Sequence, residues 1–432
     1  MSRATQPPVN APPRTPVKGT RFGKYTLINR IAVGGMAEIF LARQEGLEGF
    51  EKTICIKRIR PHLSSQVSFV RMFLNEAKLA AQLNHPNIVQ IFDLGRIGDS
   101  YFIAMEYISG RDMSRCIPKA EKIGIQFPLV YALKVASSIC EGLYFAHNRT
   151  DAYGRPLNIV HRDITPENVM VSFTGTVKIL DFGIAKAASQ IEQTRAGEIK
   201  GKLSYMSPEQ CMGKPLDHRS DIFSLGVVCY EWVTGYKLFT GENEMAILKS
   251  IIDGKIYPPS YFKEDVPEPV ERILMKALEK DREKRYQSAW DLQYDIDQFL
   301  ATQEFTPSNI HLSNFMKQLF SDEAEQEQQL LQRVAQAEAP ADDVMEADEV
   351  GAQALVEDSK GNEIALERAI ENVPGAAHMP TQISRTGSKL DAELRINMTR
   401  SELEQLDSLA KKKGVPVDLM VREMVRSVIR WT

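Results

Sequence analysis

The chain has 432 residues, more than one ordinary hydrophobic core organises, so its length predicts two or three structural units. Its 53 Lys and Arg residues nearly balance 57 Asp and Glu residues, and the net charge of −4 excludes an overall attraction to nucleic acid or anionic membrane. The five cysteines show no paired or metal-type spacing, which argues against thiolate metal sites and favours a reduced compartment.

The first 24 residues are predicted to form an extended, solvated tail. They carry Pro7, Pro8, Pro12, Pro13 and Pro16, and no apolar cluster that could pack. The segment also lacks the apolar core of a secretory signal, and no window of about 18 apolar residues occurs anywhere in the chain. We therefore expect a cytoplasmic protein that makes no membrane contact.

Residues 25–300 are predicted to form one large domain, followed by a helical extension at 301–320. Apolar periodicity is dense in the large domain, first in strand-like runs such as "TICIKRI" and later in helical ones. Near its start, "IAVGGMAEIF" (31–40) places Gly34 and Gly35 in a turn between two predicted strands. Such a turn can lay backbone amides over phosphates, although a glycine pair in a hairpin is often only a turn.

The next two charged residues have two interpretations each. Lys57 closes the apolar strand "ICIK", either as an edge residue whose ammonium reaches solvent or as a charge held inside to bind an anion. Glu76, in the helical run "FLNEAKLAAQL", is either the ion-pair partner of Lys57 or a surface glutamate. The motifs that follow favour the pair.

Two motifs further along the chain carry the most specific signal. "IVHRDITPENVMV" at 159–171 is followed by "VKILDFG" at 177–183. Together with Lys57 and Glu76, in this order, they resemble the Hanks-type Ser/Thr protein kinases, which are the eukaryotic-type kinases of bacteria. The resemblance covers roughly residues 25–300.

Later landmarks extend this resemblance through the second half of the domain. They are "SPE" at 207–209, Asp221 in "HRSDIFSLGVVCYE" and Arg285 in "KDREKRYQSAWDL". The resemblance implies an α+β, bilobal protein kinase fold, with a sheet and helix C in the N-lobe and a helical C-lobe. It also implies a structural ion pair between Glu209 and Arg285.

The resemblance further implies a role for each polar motif residue in transferring a phosphoryl group from ATP. Asp163 would accept the proton of the substrate hydroxyl, while Asn168 and Asp181 would hold Mg²⁺. Lys57, oriented by Glu76, would hold the α- and β-phosphates. Besides Met105 at the gatekeeper position, the implied nucleotide-binding residues are Ile31, Gly34, Gly35 and Ile39 around the glycine turn, Glu106 and Ile108 through their backbones, and Asp112 near the ribose.

Three features depart from the family pattern. Ala32 and Ala37 replace the first and third glycines of the loop, yet alanine still lets backbone amides approach a phosphate, so ATP binding is expected to survive. Thr165 stands where Ser/Thr kinases carry a lysine that touches the transferred phosphate, so activity is expected to be modest or substrate-limited. Lys202 replaces the threonine of the substrate-facing turn. Because the metal-holding and base residues are all present, we expect an active enzyme rather than a pseudokinase.

The segment after "DFG" contains few hydroxyl side chains, and Thr194 is the best candidate for a regulatory phosphosite. By resemblance, a phosphate on Thr194 would pair with Arg162 and order the segment; the alternative is a solvated threonine. Tyrosine specificity is disfavoured, because "DITPEN" lacks the Ala/Arg-rich catalytic loop of that branch.

Residues 321–388 are predicted to be an acidic, mostly disordered linker. Glu, Gln, Ala and Asp dominate this stretch, and no broad apolar stripe is present. One part, "EAEQEQQLLQRVAQAEA", has helical propensity.

The last 44 residues, 389–432, show the order strand, helix, helix. "ELRINMT" alternates apolar and polar residues, and Thr399 and Glu402 form a capping box at the start of the first helix. So small a unit without a cysteine needs a partner to bury enough surface. The segment resembles the ribbon-helix-helix domains of bacterial repressors, which implies a homodimer and DNA contact through Arg395 and Asn397.

Two other interpretations of this tail stay open. It could be a module that only dimerises the kinase for phosphorylation in trans, or a helical hairpin packed on the kinase domain. The sequence as a whole therefore predicts a Ser/Thr protein kinase that uses ATP and Mg²⁺, autophosphorylates and dimerises through its C-terminal unit. The alternative is a DNA-binding regulator with a nucleotide-binding pseudokinase domain.

Overall fold

The computed structural model describes residues 19–46, 50–182 and 202–335, together with the backbone of two short strands at 355–357 and 363–365. Thr194 and the predicted ribbon-helix-helix unit at 389–432 lie outside the described residues.

The N-lobe is a six-stranded antiparallel sheet with one helix. Its strands are β1 (Thr20–Phe22), β2 (Tyr25–Val33), β3 (Ala37–Glu45), β4 (Glu51–Ile59), β5 (Ile91–Ile97) and β6 (Ser100–Glu106), in the spatial order β1-β2-β3-β4-β6-β5. Helix α1 (Val67–Ala80) buries Phe73 and Ala77 against this sheet. The sheet begins inside the range predicted for the tail, because the Gly23 turn, at φ 55°, folds β1 back onto β2 and buries Phe22.

The C-lobe is helical around a buried pair of long helices. Its elements are α2 (Met113–Lys122), α3 (Leu129–His147), α4 (Pro208–Cys211), α5 (Arg219–Thr234), α6 (Glu244–Asp253), α7 (Glu268–Ala277), α8 (Ala289–Ala301) and α9 (Asn309–Leu319). Among the described residues, α3 is the one helix long and apolar enough to span a membrane, but most of it is buried in this lobe, as in a core helix. The bilobal α+β prediction is confirmed, and α9 lies in the predicted helical extension.

A small three-stranded sheet lies beside the connection between the lobes. It contains β7 (Gly110–Asp112), β8 (Val169–Ser172) and β9 (Val177–Ile179), all antiparallel. Because β8 and β9 directly follow and precede the two kinase-like motifs, this sheet brings the motifs to the same end of the C-lobe. Separately, β10 (Leu355–Glu357) and β11 (Glu363–Ala365), which lie within the range predicted for the linker, pair as antiparallel strands.

Two buried polar landmarks stabilise the C-lobe. The Arg285 guanidinium forms two bonds to the Glu209 carboxylate, at 2.7 and 2.8 Å, and both side chains are buried. The predicted Glu209–Arg285 ion pair is therefore confirmed. Ser220 adds a hydrogen bond of 2.7 Å to the same carboxylate, so the charge of Glu209 is compensated inside the lobe.

The structure differs from the predicted linker in its first residues, because helix α10 spans Ser321–Ala335 and packs on both lobes. Its acidic residues, which gave no apolar stripe, instead meet cations and a tyrosine from other elements. The helix contacts the C-lobe, the connection between the lobes, and the N-lobe. The contacts are Lys119 with Glu323 (2.7 Å), Tyr107 with Glu327 (2.8 Å), Arg111 with Glu327, and the Arg43 guanidinium with the Val334 carbonyl (3.3 Å).

Candidate active site

The cleft between the lobes contains a cavity of about 350 Å³ beneath the glycine turn. The turn itself is closed by a hydrogen bond of 2.8 Å from the Gly34 amide to the Ala37 carbonyl. A Cβ atom at Gly35 would meet nothing within 4 Å, so the turn leaves open space at this position. Of the predicted site residues, those that line the cavity are Gly34, Gly35, Ile39, Lys57, Glu76, Asp163, Asn168 and Asp181.

Four predicted nucleotide-binding residues do not line this cavity, and their roles stay predictions. Glu106 ends β6, and its carboxylate accepts hydrogen bonds from Lys178 (2.6 Å) and the Gln90 amide (2.7 Å). The Asp112 carboxylate pairs with Arg115 at 3.1 Å. Both carboxylates therefore have partners within the protein. The four residues are Ile31, Glu106, Ile108 and Asp112.

Lys57 lies between two carboxylates brought from different elements. Its ammonium is 2.7 Å from Asp181 Oδ1 and 3.4 Å from Glu76 Oε1 on α1. Burial alone would lower the pKa of Lys57, but Asp181 and Glu76 raise it above the usual value, so the side chain stays charged. Burial raises the pKa of Glu76, against the opposing effect of Lys57. Lys57 is thus a charge held inside the cleft, as one of its two interpretations required.

The catalytic loop, residues 161–168, is fixed by its buried histidine. His161 Nε2 lies 2.8 Å from the Leu180 carbonyl, and its Nδ1 accepts a hydrogen bond of 3.2 Å from the Asp163 amide. These partners suit a neutral imidazole with its proton on Nε2, and burial lowers the pKa of His161. The histidine thereby links the loop to the residue that precedes Asp181.

Asp163 and Asn168 are joined by two hydrogen bonds at the floor of the cleft. Asn168 Nδ2 donates to the Asp163 carbonyl at 2.8 Å and to Asp163 Oδ2 at 2.9 Å. Because both amide hydrogens are used in this way, Asn168 Oδ1 is the atom of that amide that can bind a cation. Burial raises the pKa of Asp181, but Lys57 and then Lys202 lower it on balance, so its carboxylate is charged. An amide oxygen and a carboxylate are the donor types that Mg²⁺ prefers.

Asp221, noted in the sequence only as a landmark, holds the catalytic loop. It is fully buried in the first turn of α5, and its Oδ2 accepts from the His161 amide (2.7 Å) and from His147 Nε2 (2.8 Å). Its Oδ1 accepts from the Arg162 amide (2.8 Å), where the backbone has a φ of 67°. A carboxylate among apolar residues in "SDIFSLGVV" was the available signal for this role.

Gln210 has a related role that sequence reasoning missed. Its Nε2 donates to the Arg162 carbonyl at 2.9 Å, while its Oε1 accepts from the Ser207 amide in the capping box that begins α4. The residue therefore connects the end of the 202–207 segment to the catalytic loop. The capping-box spacing was visible in the sequence, but the contact with Arg162 was not.

Residues 25–295 match the family model described as protein kinase domain. The tyrosine-protein kinase MasK of Myxococcus xanthus is 45% identical over 302 residues, which are 70% of this chain and 47% of that protein. The serine/threonine-protein kinases PrkC of Bacillus subtilis and PknB of Mycobacterium tuberculosis are 36% and 34% identical, each over 63% of this chain and 40% and 42% of their own lengths.

The chain thus spans under half the length of these curated relatives. Among solved structures, the Mycobacterium tuberculosis PknI kinase domain is similar with a TM-score of 0.50 at 24% identity, over 66% of this chain and 99% of that one. This likeness agrees with the bilobal fold.

Proposed function

Because this chain belongs to the protein kinase family, we propose that it transfers the γ-phosphoryl group of ATP to hydroxyl groups of protein substrates. The observation that carries the proposal is the grouping of Lys57, Asp163, Asn168 and Asp181 around one cavity below an open glycine turn. Phosphoryl transfer depends mostly on positioning and charge neutralisation, and this cluster offers a fixed cation, a base and two oxygen ligands.

Each residue has a proposed part in the reaction. Lys57 would bind the α- and β-phosphates, held in place by Glu76. Asp163, fixed by the amide of Asn168, would accept the proton of the attacking hydroxyl. Protein kinases use ATP and a divalent metal, which we propose is Mg²⁺, held by Asn168 and Asp181. When bound, Mg²⁺ would neutralise charge on the phosphates.

The activity is tested with radiolabelled ATP, the full chain and a generic protein substrate. Asp163→Asn should abolish phosphate transfer, because the base is lost while the fold is kept. Asp265→Asn is a matched control, since this exposed aspartate lies away from the cleft and should leave the rate unchanged. If the wild-type protein and Asp163→Asn both bind nucleotide but transfer no phosphate, the pseudokinase alternative is favoured.

We propose serine and threonine as the acceptor residues. The "DITPEN" loop and the names of PrkC and PknB support this choice. The 45% identity to a relative named as a tyrosine-protein kinase favours tyrosine as a second candidate. Phosphoamino-acid analysis of the autophosphorylated chain and of a generic substrate separates the two. Phosphotyrosine alone would contradict the serine/threonine proposal.

Regulation by phosphate on Thr194 is proposed from the sequence, with one supporting observation. Arg162 Nε is buried and has no hydrogen-bond partner among the described residues, so the guanidinium has bonding capacity left for a phosphate. Thr194→Ala should slow phosphorylation of a protein substrate. An unchanged rate in this variant would remove the idea.

The C-terminal unit, residues 389–432, is proposed to form a homodimer that contacts DNA through Arg395 and Asn397. This proposal rests on sequence features alone, and so does the proposal of a cytoplasmic location. Sedimentation equilibrium of the full chain and of a chain ending at residue 388 tests the dimer. A dimer that becomes a monomer on truncation supports it, whereas equal masses contradict it. A gel mobility-shift assay on the double variant Arg395→Ala, Asn397→Ala tests DNA contact separately. If the variant still dimerises but no longer shifts DNA, the unit binds DNA and does not only dimerise.

A further inference from the structure

The catalytic loop of this chain lacks a cation where the transferred phosphate must lie. From Asp163 to Asn168 the loop contains no Lys or Arg. Thr165, two residues after the base, is 1% exposed, and its Oγ1 has no hydrogen-bond partner within the described part of the chain. The loop therefore offers the phosphate no positive charge of its own between the base and the metal-binding amide.

Lys202 supplies a cation to the same place from a different segment. Its Nζ lies 3.7 Å from Asp163 Oδ2, and its side chain is 43% exposed, so the ammonium can reach a ligand in the cleft. Among the described residues that line the cavity, Lys57 and Lys202 are the cationic ones. Since Lys57 is already held between two carboxylates, Lys202 is the cation beside the base.

The backbone after Lys202 is well anchored. Leu203, Ser204 and Tyr205 are buried, and the Tyr205 hydroxyl donates a hydrogen bond of 2.6 Å to Glu231 on α5. Two residues later the capping box of α4 begins and connects to the catalytic loop through Gln210. The position of Lys202 relative to Asp163 is therefore set by buried packing, although the lysine tip is solvated.

We propose that Lys202 is a catalytic residue that contacts the γ-phosphoryl group and Asp163 during transfer, in place of a lysine of the catalytic loop. The inference rests on the proposed kinase function. The acceptor hydroxyl oxygen forms a bond to the γ-phosphorus, the bond from that phosphorus to the β–γ bridging oxygen breaks, and its electron pair leaves with ADP. The hydroxyl proton passes to Asp163, and Lys202 donates a hydrogen bond to a γ-phosphoryl oxygen throughout.

In this assignment the two departures compensate each other, because threonine replaces the expected lysine at position 165 and lysine replaces the expected threonine at position 202. The cation is delivered by the segment that follows residue 201 rather than by the catalytic loop, so its delivery depends on how that segment is placed. The competing role for Lys202 is inhibitory, as an ion-pair partner that occupies the base until substrate binds. The two roles predict opposite effects of removing the ammonium.

The test measures kcat and the KM for ATP with the full-length protein. Lys202→Met should lower kcat on the order of a hundredfold, the loss typical of removing one donor to a charged transition state, with KM for ATP changed less than about threefold. Lys202→Arg should keep more activity than Lys202→Met. Lys214→Met, at an exposed loop position, is the control and should match the wild type. Thermal melting of each variant checks that it folds.

A second experiment moves the lysine from position 202 to position 165. Lys202→Thr should be as slow as Lys202→Met, and adding Thr165→Lys to it should restore at least about tenfold of the lost rate. Three outcomes would overturn this inference but leave the proposed kinase function in place. They are a folded Lys202→Met variant with wild-type or higher activity, a loss in that variant that affects only KM, and a double variant that is no faster than Lys202→Thr. Absence of transfer in the wild type overturns the proposed function, and this inference with it.

Discussion

Replacing Asp221 by asparagine removes one of the two carboxylate oxygens that together accept three hydrogen bonds, two from backbone amides at the start of the catalytic loop and one from His147 at the end of α3. An amide of the same size has one oxygen. Whichever way the amide is turned, its NH₂ group faces a donor, the Arg162 amide on one side or the His161 amide and His147 on the other. At least one buried backbone N–H is therefore left without an acceptor.

The cost follows from the bonds lost. A hydrogen bond to a charged group contributes roughly 1.5–3 kcal/mol, and a buried unsatisfied donor costs roughly 1–3 kcal/mol, so Asp221→Asn should destabilise the fold by about 2–4 kcal/mol. The same bonds hold Arg162 at a φ of 67°, a conformation that a non-glycine residue keeps only when its surroundings impose it. Once released, the loop should shift Asp163, and a displacement near 1 Å can cost on the order of a hundredfold in rate.

Urea unfolding and steady-state transfer of radiolabelled phosphate measure the two effects, with Asp265→Asn as the matched control. Burial alone would raise the pKa of Asp221, but its donors lower it. The stability that this carboxylate contributes is therefore present above about pH 4, the unfolded pKa, and is lost as the pH falls through the folded value. A folded Asp221→Asn variant with wild-type stability and rate at pH 7 would refute the reasoning.

Three further predictions concern stability. Arg285→Leu should lower the free energy of unfolding in urea by about 3–5 kcal/mol, because the Glu209 carboxylate is left buried without its cation. A double variant that adds Glu209→Leu should recover part of the lost stability, and additive losses of the two single variants would contradict this account. Burial raises the pKa of Glu209, but Arg285 lowers it on balance. The stability advantage of the wild type over Glu209→Gln should therefore be full above about pH 4.3 and should shrink at lower pH. A stability difference that does not change with pH would argue against the pair. Glu327→Ala should free Tyr107 and Arg111 and destabilise the protein by about 1–3 kcal/mol, with faster proteolysis within α10; unchanged melting and cleavage would show that α10 does not depend on these contacts.

Much of the fold and the cluster in the cleft could be predicted from the sequence. Alternating apolar residues around Gly34 and Gly35 predict a hairpin, and the ordered motifs around Lys57, Asp163 and Asp181 identify the bilobal architecture. These features are local, since each motif folds on a strand or turn whose pattern lies within a few residues of it. The family resemblance then supplies their order in space.

Other features were decided only by the tertiary structure. Helix α10 has acidic residues where a packed helix usually has apolar ones, and it is held by Tyr107, Arg111 and Lys119 from distant parts of the chain. The apolar neighbours of Asp221 in the sequence indicate a buried carboxylate, but they do not indicate the three donors from which it accepts hydrogen bonds.

Lys202 and Thr165 show the same limit most clearly. Read separately, each is a departure from the family pattern, and the Thr165 departure weakens the expected activity. In the folded chain, Lys202 Nζ lies 3.7 Å from Oδ2 of Asp163, the proposed base, which stands two residues before Thr165. Hydrophobic periodicity encodes which face of an element is buried, but a charge acts on whatever lies within a few ångströms of it, and that neighbour is chosen by the packing of the whole chain.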